Sequence, residues 1–336
     1  MTRKLLIIGL HIASLFFILR SRLKSLTLMS QTTHSIIMVP PTDFCFNHET
    51  AQDNEFQQTP DSPHYLVKEN ALEEFNVMVN QLRDHHVEVL LLNKHHGEPE
   101  MPDAVFPNNW FCTRPDGTID LFPMKTPNRQ VEVRPQALEK LLTHNGYQVK
   151  QINDHRDSNG AFLEGTGAMI FDHRHNKTFA AISERCDAEL LAKYSALRDY
   201  ETVSFNSASS NDTPFYHTNV MMSIGEQFAV ICLDSIKAPK QRAHVEEQLK
   251  QSQKEIIDIS FEQAEKHFCA NLIQLRNQKN EPLIVLSESA YNAFTKEQKQ
   301  KLEAHGKLVP CDIHTIESVG GGSARCMIAE NFLPKQ

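Results

Sequence analysis

The chain has 336 residues, 40% apolar and 23% charged, with a formal net charge of −8. This is the make-up of an ordinary soluble globular protein, with material for one large or two medium domains. The acidic balance, with no Lys/Arg run interleaved with aromatics, excludes nucleic acid as a partner.

Residues 1–34 stand apart. Arg3 and Lys4 precede an apolar run from Leu5 to Leu19, and Arg20, Arg22 and Lys24 follow it. Fifteen residues fall short of the ~20 that a spanning helix needs, and no small-residue cleavage site follows. A membrane partner is expected only if 5–19 is a real anchor. The reading adopted is an over-extended start, with translation beginning at Met29. From residue 35 to 336 no low-complexity linker interrupts the chain, so a single domain is expected.

Within it helix and strand periodicities alternate. Strand Ile36–Val39 leads to a helix over 66–85 with Ala71, Phe75, Met78, Val79 and Leu82 on one face, then to strands Val87–Leu92, Val105–Thr113 and Ile119–Phe122. A helix near 134–144, strands Tyr147–Ile152, Ala168–Phe171 and Thr178–Ile182, a helix over 187–197 and strand Thr202–Phe205 follow. The pattern continues with strands Val220–Ile224 and Phe228–Leu233, a helix over 238–251 and strand Glu255–Ile259. It closes with strands Ala270–Leu275 and Pro282–Leu286, a helix over 295–305, strand Lys307–Pro310 and a terminal strand Arg325–Ala329. Two paired strands, a helix and another strand recur four or five times, an α/β order that packs short sheets inside and helices outside.

The seven cysteines are odd in number and form no C-x-x-C, so neither a disulfide framework nor a thiolate zinc site is supported and a reducing compartment is expected. The histidine pairs His85-His86 and His95-His96, and the Asp172–His175 turn, lack metal-site spacing and read as solvated loop residues.

Four segments at strand ends break the regular pattern: Met101–Trp110, Phe162–Gly167, Phe215–Val220, and Gly320-Gly321-Gly322-Ser323-Ala324-Arg325-Cys326. Alone, each has a plain structural reading: Glu164 a turn cap, His217 a satisfied core histidine, Asn109 and Asn219 backbone partners, Cys326 an inert buried thiol. Glycines 165 and 167 do not make a phosphate loop. The glycine run lets the backbone wrap closely around something, and Arg325 beside Cys326 is placed to favour a thiolate.

Together, over about residues 36–333, these segments resemble the guanidine-modifying enzymes, the arginine deiminase, dimethylargininase and amidinotransferase superfamily. Pro102-Asp103-Ala104-Val105-Phe106 is similar to the dimethylargininase substrate loop, Leu163-Glu164-Gly165 to the catalytic-carboxylate motif and Ser183-Glu184-Arg185 to the S-x-R motif; Cys326 falls at the nucleophile position. The resemblance implies the pentein fold, a five-bladed α/β propeller of ββαβ units. It also implies catalysis by Cys326, His217 and Glu164, with Arg185 and Arg129 on a substrate α-carboxylate, Asp103 on its α-ammonium and Phe106 beside it. No metal or organic cofactor is implied, and a homodimer is admitted.

Two departures set the expected substrate. The F-x-x-D and H-x-D patterns of arginine-directed members place Asp against the guanidinium, whereas Phe106–Asn109 and His217–Asn219 end in Asn. A buried cation without counter-ions is costly, while carboxamides suit a neutral ureido group. The chain is therefore most similar to the citrulline hydrolases, cytoplasmic enzymes releasing ornithine, ammonia and carbon dioxide through an S-carbamoyl intermediate. An arginine deiminase, dimethylargininase or amidinotransferase activity is the alternative, and a non-catalytic pentein scaffold a third.

Overall fold

The computed structural model describes residues 29–157 and 159–335; the apolar run 5–19 lies outside them. Residues from Gln31 onward form a compact unit. Among the described residues no helix is long and apolar enough to cross a membrane.

Among the described residues, fifteen strands make five separate three-stranded sheets. β3 (Phe111–Thr113), β4 (Thr118–Leu121) and β5 (Gln151–Asp154) form one; β6 (Ile170–Asp172), β7 (Lys177–Ala181) and β8 (Glu201–Phe205) the next. β9 (Met222–Ile224), β10 (Phe228–Ile231) and β11 (Glu255–Asp258) follow, then β12 (Ile273–Arg276), β13 (Pro282–Ser287) and β14 (Lys307–Cys311). In each, the middle strand runs antiparallel to its predecessor and parallel to its successor. The parallel pair requires a helical crossover. The fifth sheet joins the two ends of the unit: β1 (Ser35–Met38) pairs in parallel with β2 (Glu88–Leu91), Ile36 opposite Val89, and antiparallel with β15 (Ala329–Glu330), Ile37 opposite Ala329.

The crossovers are α1 (His64–Asp84), α2 (Pro135–His144), α3 (Ala188–Leu197), α4 (Pro239–Gln251) and α5 (Lys296–Glu303). α1 buries Val67, Ala71, Phe75, Met78, Val79 and Leu82, the stripe that its periodicity predicts. Its end is marked by His86 at φ +62, a left-handed residue that cannot continue the helix. Asp187 caps α3 by accepting from the Leu190 N–H, and Thr295 and Gln298 form a capping box on α5.

Four expected elements are corrected. The strand expected from Val105 begins only at Phe111, because Pro107–Asn109 forms a 3-10 turn and Pro107 lacks an N–H. Tyr147 lies outside β5 and spends its hydroxyl on Glu88. The strands expected from Ala270 and Arg325 start at Ile273 and Ala329, and Asn271 and Cys326 sit in the turns before them. His173 is not a solvated loop residue: it is buried, stacks on Phe171 and bonds the Tyr200 hydroxyl.

Candidate active site

A turn or a single helical turn leads into one strand of each sheet, into β15 in the fifth, and these five segments meet. Thr166 Oγ1 donates to Asn108 O at 3.2 Å, Thr218 Oγ1 to Ala168 O, Asn271 Nδ2 to Asn219 O at 2.9 Å, and Arg325 N to Asn271 Oδ1 at 3.0 Å. The circuit closes where Gly320 and Gly322 lie against the Phe106 ring; a Cβ on Gly320 would stand 2.8 Å from its Cζ. The glycine run thus wraps around a phenyl ring. Gly321 alone needs φ +62, and its close neighbours are Asn54 and Gln57.

The segments enclose a space of about 10 Å³ lined by Thr50, Asn54, Asp103, Phe106, Asn109, Arg129, Arg185, Tyr216, His217, Gly320–Gly322 and Cys326. Seven of the nine side chains singled out in the sequence line it; Glu164 and Asn219 stand directly behind, on His217 and Cys326.

Glu164 Oε2 accepts from His217 Nε2 at 2.8 Å, and Oε1 from the Lys125 N–H at 2.9 Å. Burial alone would raise this carboxyl, but Arg185, His217 and Arg129 together hold it well below the usual carboxylate range. A carboxylate can only accept, so the neutral imidazole carries its proton on Nε2 and leaves Nδ1 as the free base. Burial keeps the His217 pKa below its ordinary value despite Glu164. Gly167 gives the ring room: a Cβ there would lie 2.8 Å from His217 Nδ1 and 2.3 Å from Asn109 Nδ2.

Cys326 is buried, and the side chains that donate to its sulfur are carboxamides, Asn219 Nδ2 at 3.2 Å and Asn271 Nδ2 at 3.3 Å. Burial raises its pKa above the ordinary thiol value, against the pull of the Ser323 N–H, of Asn271 and Asn219 and of the Arg325 charge. Arg325 favours the thiolate by its charge alone, since its guanidinium bonds Ile328 O and Glu330. Asn219 Oδ1 is buried without a partner.

The two arginines of the site are tied to their own counter-charges, and Asp103 to neutral donors. Arg129 forms a two-point pair with Glu132 (Nε–Oε1 3.0 Å, Nη2–Oε2 2.9 Å) and donates to Asn109 Oδ1 at 2.7 Å. Arg185 is clasped by Asp53, with Nε–Oδ2 at 3.0 Å, and stacks on Tyr216. Asp103 Oδ2 accepts from Asn47 and Thr50, while its buried Oδ1 has no partner. Asn271, Asp53, Asn47 and Thr50 escaped the sequence reading. Only Asn271 had a signal, its place just before a strand like the other site residues. Among the described residues no cluster of His, Cys, Asp and Glu could hold a metal.

The model of the family described as eukaryotic N,N dimethylarginine dimethylhydrolase matches residues 40–333. The chain belongs to this family. Its superfamily is that of the pentein guanidine-modifying enzymes, as the solved structures also indicate. The N-terminal domain of ArgZ, a cyanobacterial arginine dihydrolase solved as a Cys-to-Ser mutant with substrate, superposes with TM-score 0.67 at 19% identity, covering 88% of this chain and 97% of that one. The complete ArgZ gives 0.68 at 19% identity over 90% of this chain but 41% of its own. A dimethylarginine dimethylaminohydrolase bound to a chloropyridine gives 0.60 at 15% identity, covering 89% and 100%. No curated protein matches the sequence itself. The dimethylhydrolase family and these neighbours are hydrolases acting on guanidino carbon–nitrogen bonds, which makes the chain a member of a hydrolase family.

Proposed function

We propose that residues 35–336 form one catalytic pentein domain, its five sheets the blades of an α/β propeller, that hydrolyses the ureido group of citrulline. The observation that supports the substrate is the dress of the sulfur: two neutral carboxamides and no ionised side chain are bonded to it. Asn219 Oδ1 is left as an acceptor for a ureido N–H, and Asp103 Oδ1 as one for the α-ammonium.

In this reading His217 Nδ1 takes the Cys326 thiol proton as the sulfur attacks the ureido carbon, and gives it to the departing amine as that carbon–nitrogen bond breaks. Nδ1 then deprotonates the water that hydrolyses the S-carbamoyl intermediate and restores the thiol, and the two steps together release ornithine, ammonia and carbon dioxide. Glu164 holds the imidazole in its tautomer and supports its charged form. An α-carboxylate reaches Arg185 only by displacing Asp53. The present space holds about one water, so admission of substrate includes movement of the 47–57 segment or the glycine turn. Seven free thiols accord with a cytoplasmic setting.

The test is ornithine release from purified protein and its Cys326→Ala variant. Turnover of citrulline, lost in the variant and absent with arginine, is expected. A second reading, an arginine dihydrolase, has support in the neighbours that are arginine dihydrolases or bind L-arginine; turnover of arginine at a comparable rate would establish it instead.

A further inference from the structure

We propose that Asn271 is a positioning residue that favours ionisation of the Cys326 sulfur and fixes the direction from which it attacks. The proposal rests on reading Cys326 as the nucleophile, and not on which substrate it meets.

Three observations converge. The first is place: four of the five pre-strand segments carry side chains assigned to the chemistry, and Asn271 occupies the corresponding position before β12. The second is geometry. One carboxamide does four things: Oδ1 accepts the N–H of Arg325 at 3.0 Å and of Cys326 at 3.3 Å, and Nδ2 donates to Asn219 O at 2.9 Å and to Sγ at 3.3 Å. It therefore grips the nucleophile by main chain and sulfur together, and seats Asn219, the second donor. The third is burial: Asn271 has no solvent exposure, so each donor and acceptor has a protein partner and none is spent on the surface.

The chemistry gives the reason. A cationic substrate brings a charge that helps keep a nearby thiol ionised. A neutral ureide brings none, so the protein itself must supply fixed donors to the sulfur. Arg325, the adjacent cation, spends its guanidinium elsewhere.

The test separates holding the sulfur from holding the fold. Asn271→Ala removes all four bonds; Asn271→Asp keeps the oxygen that accepts from both main-chain N–H groups and removes the donor to Sγ and Asn219 O. The thiolate of Cys326 is followed by ultraviolet absorbance against pH, subtracting the same protein carrying Cys326→Ser so that the other thiols and tyrosines cancel. Its surroundings, Tyr216, His217 and Arg325 nearby and Asp103, Arg129 and Arg185 across the cavity, are common to all variants. Expected is a rise in the midpoint of about one to two pH units for Ala, and more for Asp, where a carboxylate faces the sulfur. With citrulline, kcat falls about 10- to 100-fold with KM little changed. An unmoved midpoint in both variants overturns the proposal, including the case in which only the melting temperature falls. The titration needs no turnover, so an inactive protein with a shifted midpoint would refute the substrate assignment and leave Asn271 in its role.

Discussion

Replacing Asn219 by Asp tests the substrate argument at its root. Asn219 is fully buried, with its amide nitrogen 3.2 Å from the Cys326 sulfur. A carboxylate at that spot faces the reacting end of whatever enters. Two unit charges about 3 Å apart at an effective dielectric of ~20 interact by about 5 kcal/mol, an upper limit for a guanidinium meeting the new carboxylate. The net gain of a charge-assisted over a neutral hydrogen bond is closer to ~1.5 kcal/mol. The ratio of kcat/KM for arginine over citrulline should therefore rise about tenfold or more. Absolute rates should fall for both, since the same carboxylate repels the thiolate and carries a burial cost. Competing the two substrates in one vessel and measuring each product gives the ratio, which cancels any loss of folded protein. A ratio unchanged, or moved towards citrulline, would show that the carboxamides do not set the charge preference.

Gly167→Ala places a methyl within 2.3 Å of Asn109 Nδ2 and 2.8 Å of His217 Nδ1; a displacement of that size should lower kcat/KM about 100-fold, read by steady-state kinetics. Glu317 is buried under the glycine turn, its carboxyl pushed up to about 7 by burial against hydrogen bonds from Ser323 and Ser287. The folded state favours its protonated form, so that stabilisation is complete below about pH 4.5 and lost as pH rises through 7. Glu317→Gln, always neutral, should gain up to about 3 kcal/mol over the parent at pH 8 and little at pH 4.5, in paired denaturant titrations. Glu164 and Asp53 have the opposite sign: their depressed carboxyls stabilise the fold above about pH 4.5, and the contribution drains away as pH falls towards their folded values. Melting temperatures taken from pH 7 down to 3 should fall, and those of Glu164→Gln should start lower and converge on the parent's.

The sequence carried the element order because each crossover helix has a clear apolar stripe and each parallel pair demands such a crossover. It carried Glu164, His217 and Cys326 because a chemically able residue beside glycines or at a strand mouth interrupts an otherwise apolar pattern. It misplaced the start of β3 because Val105 and Phe106 are as apolar as strand residues, yet Phe106 packs against the glycine turn and the 3-10 turn opening at Pro107 delays the pairing to Phe111. The partners of the arginines were beyond reach. Arg185 meets Asp53 across 132 positions of chain, a contact set by how sheets assemble and not by local spacing. Asn271 sits between Ala270 and Leu272 with no glycine or charge to flag it, and only the fivefold recurrence of pre-strand segments gives it away.

Cys326 lies three residues upstream of β15, a two-residue ribbon that clips onto β1. The thiol proposed as nucleophile is thus borne on the clasp that fastens the two ends of the unit. Fraying or proteolytic nibbling there would silence the protein while most of its interior still stood, so loss of turnover on heating should run ahead of loss of circular dichroism.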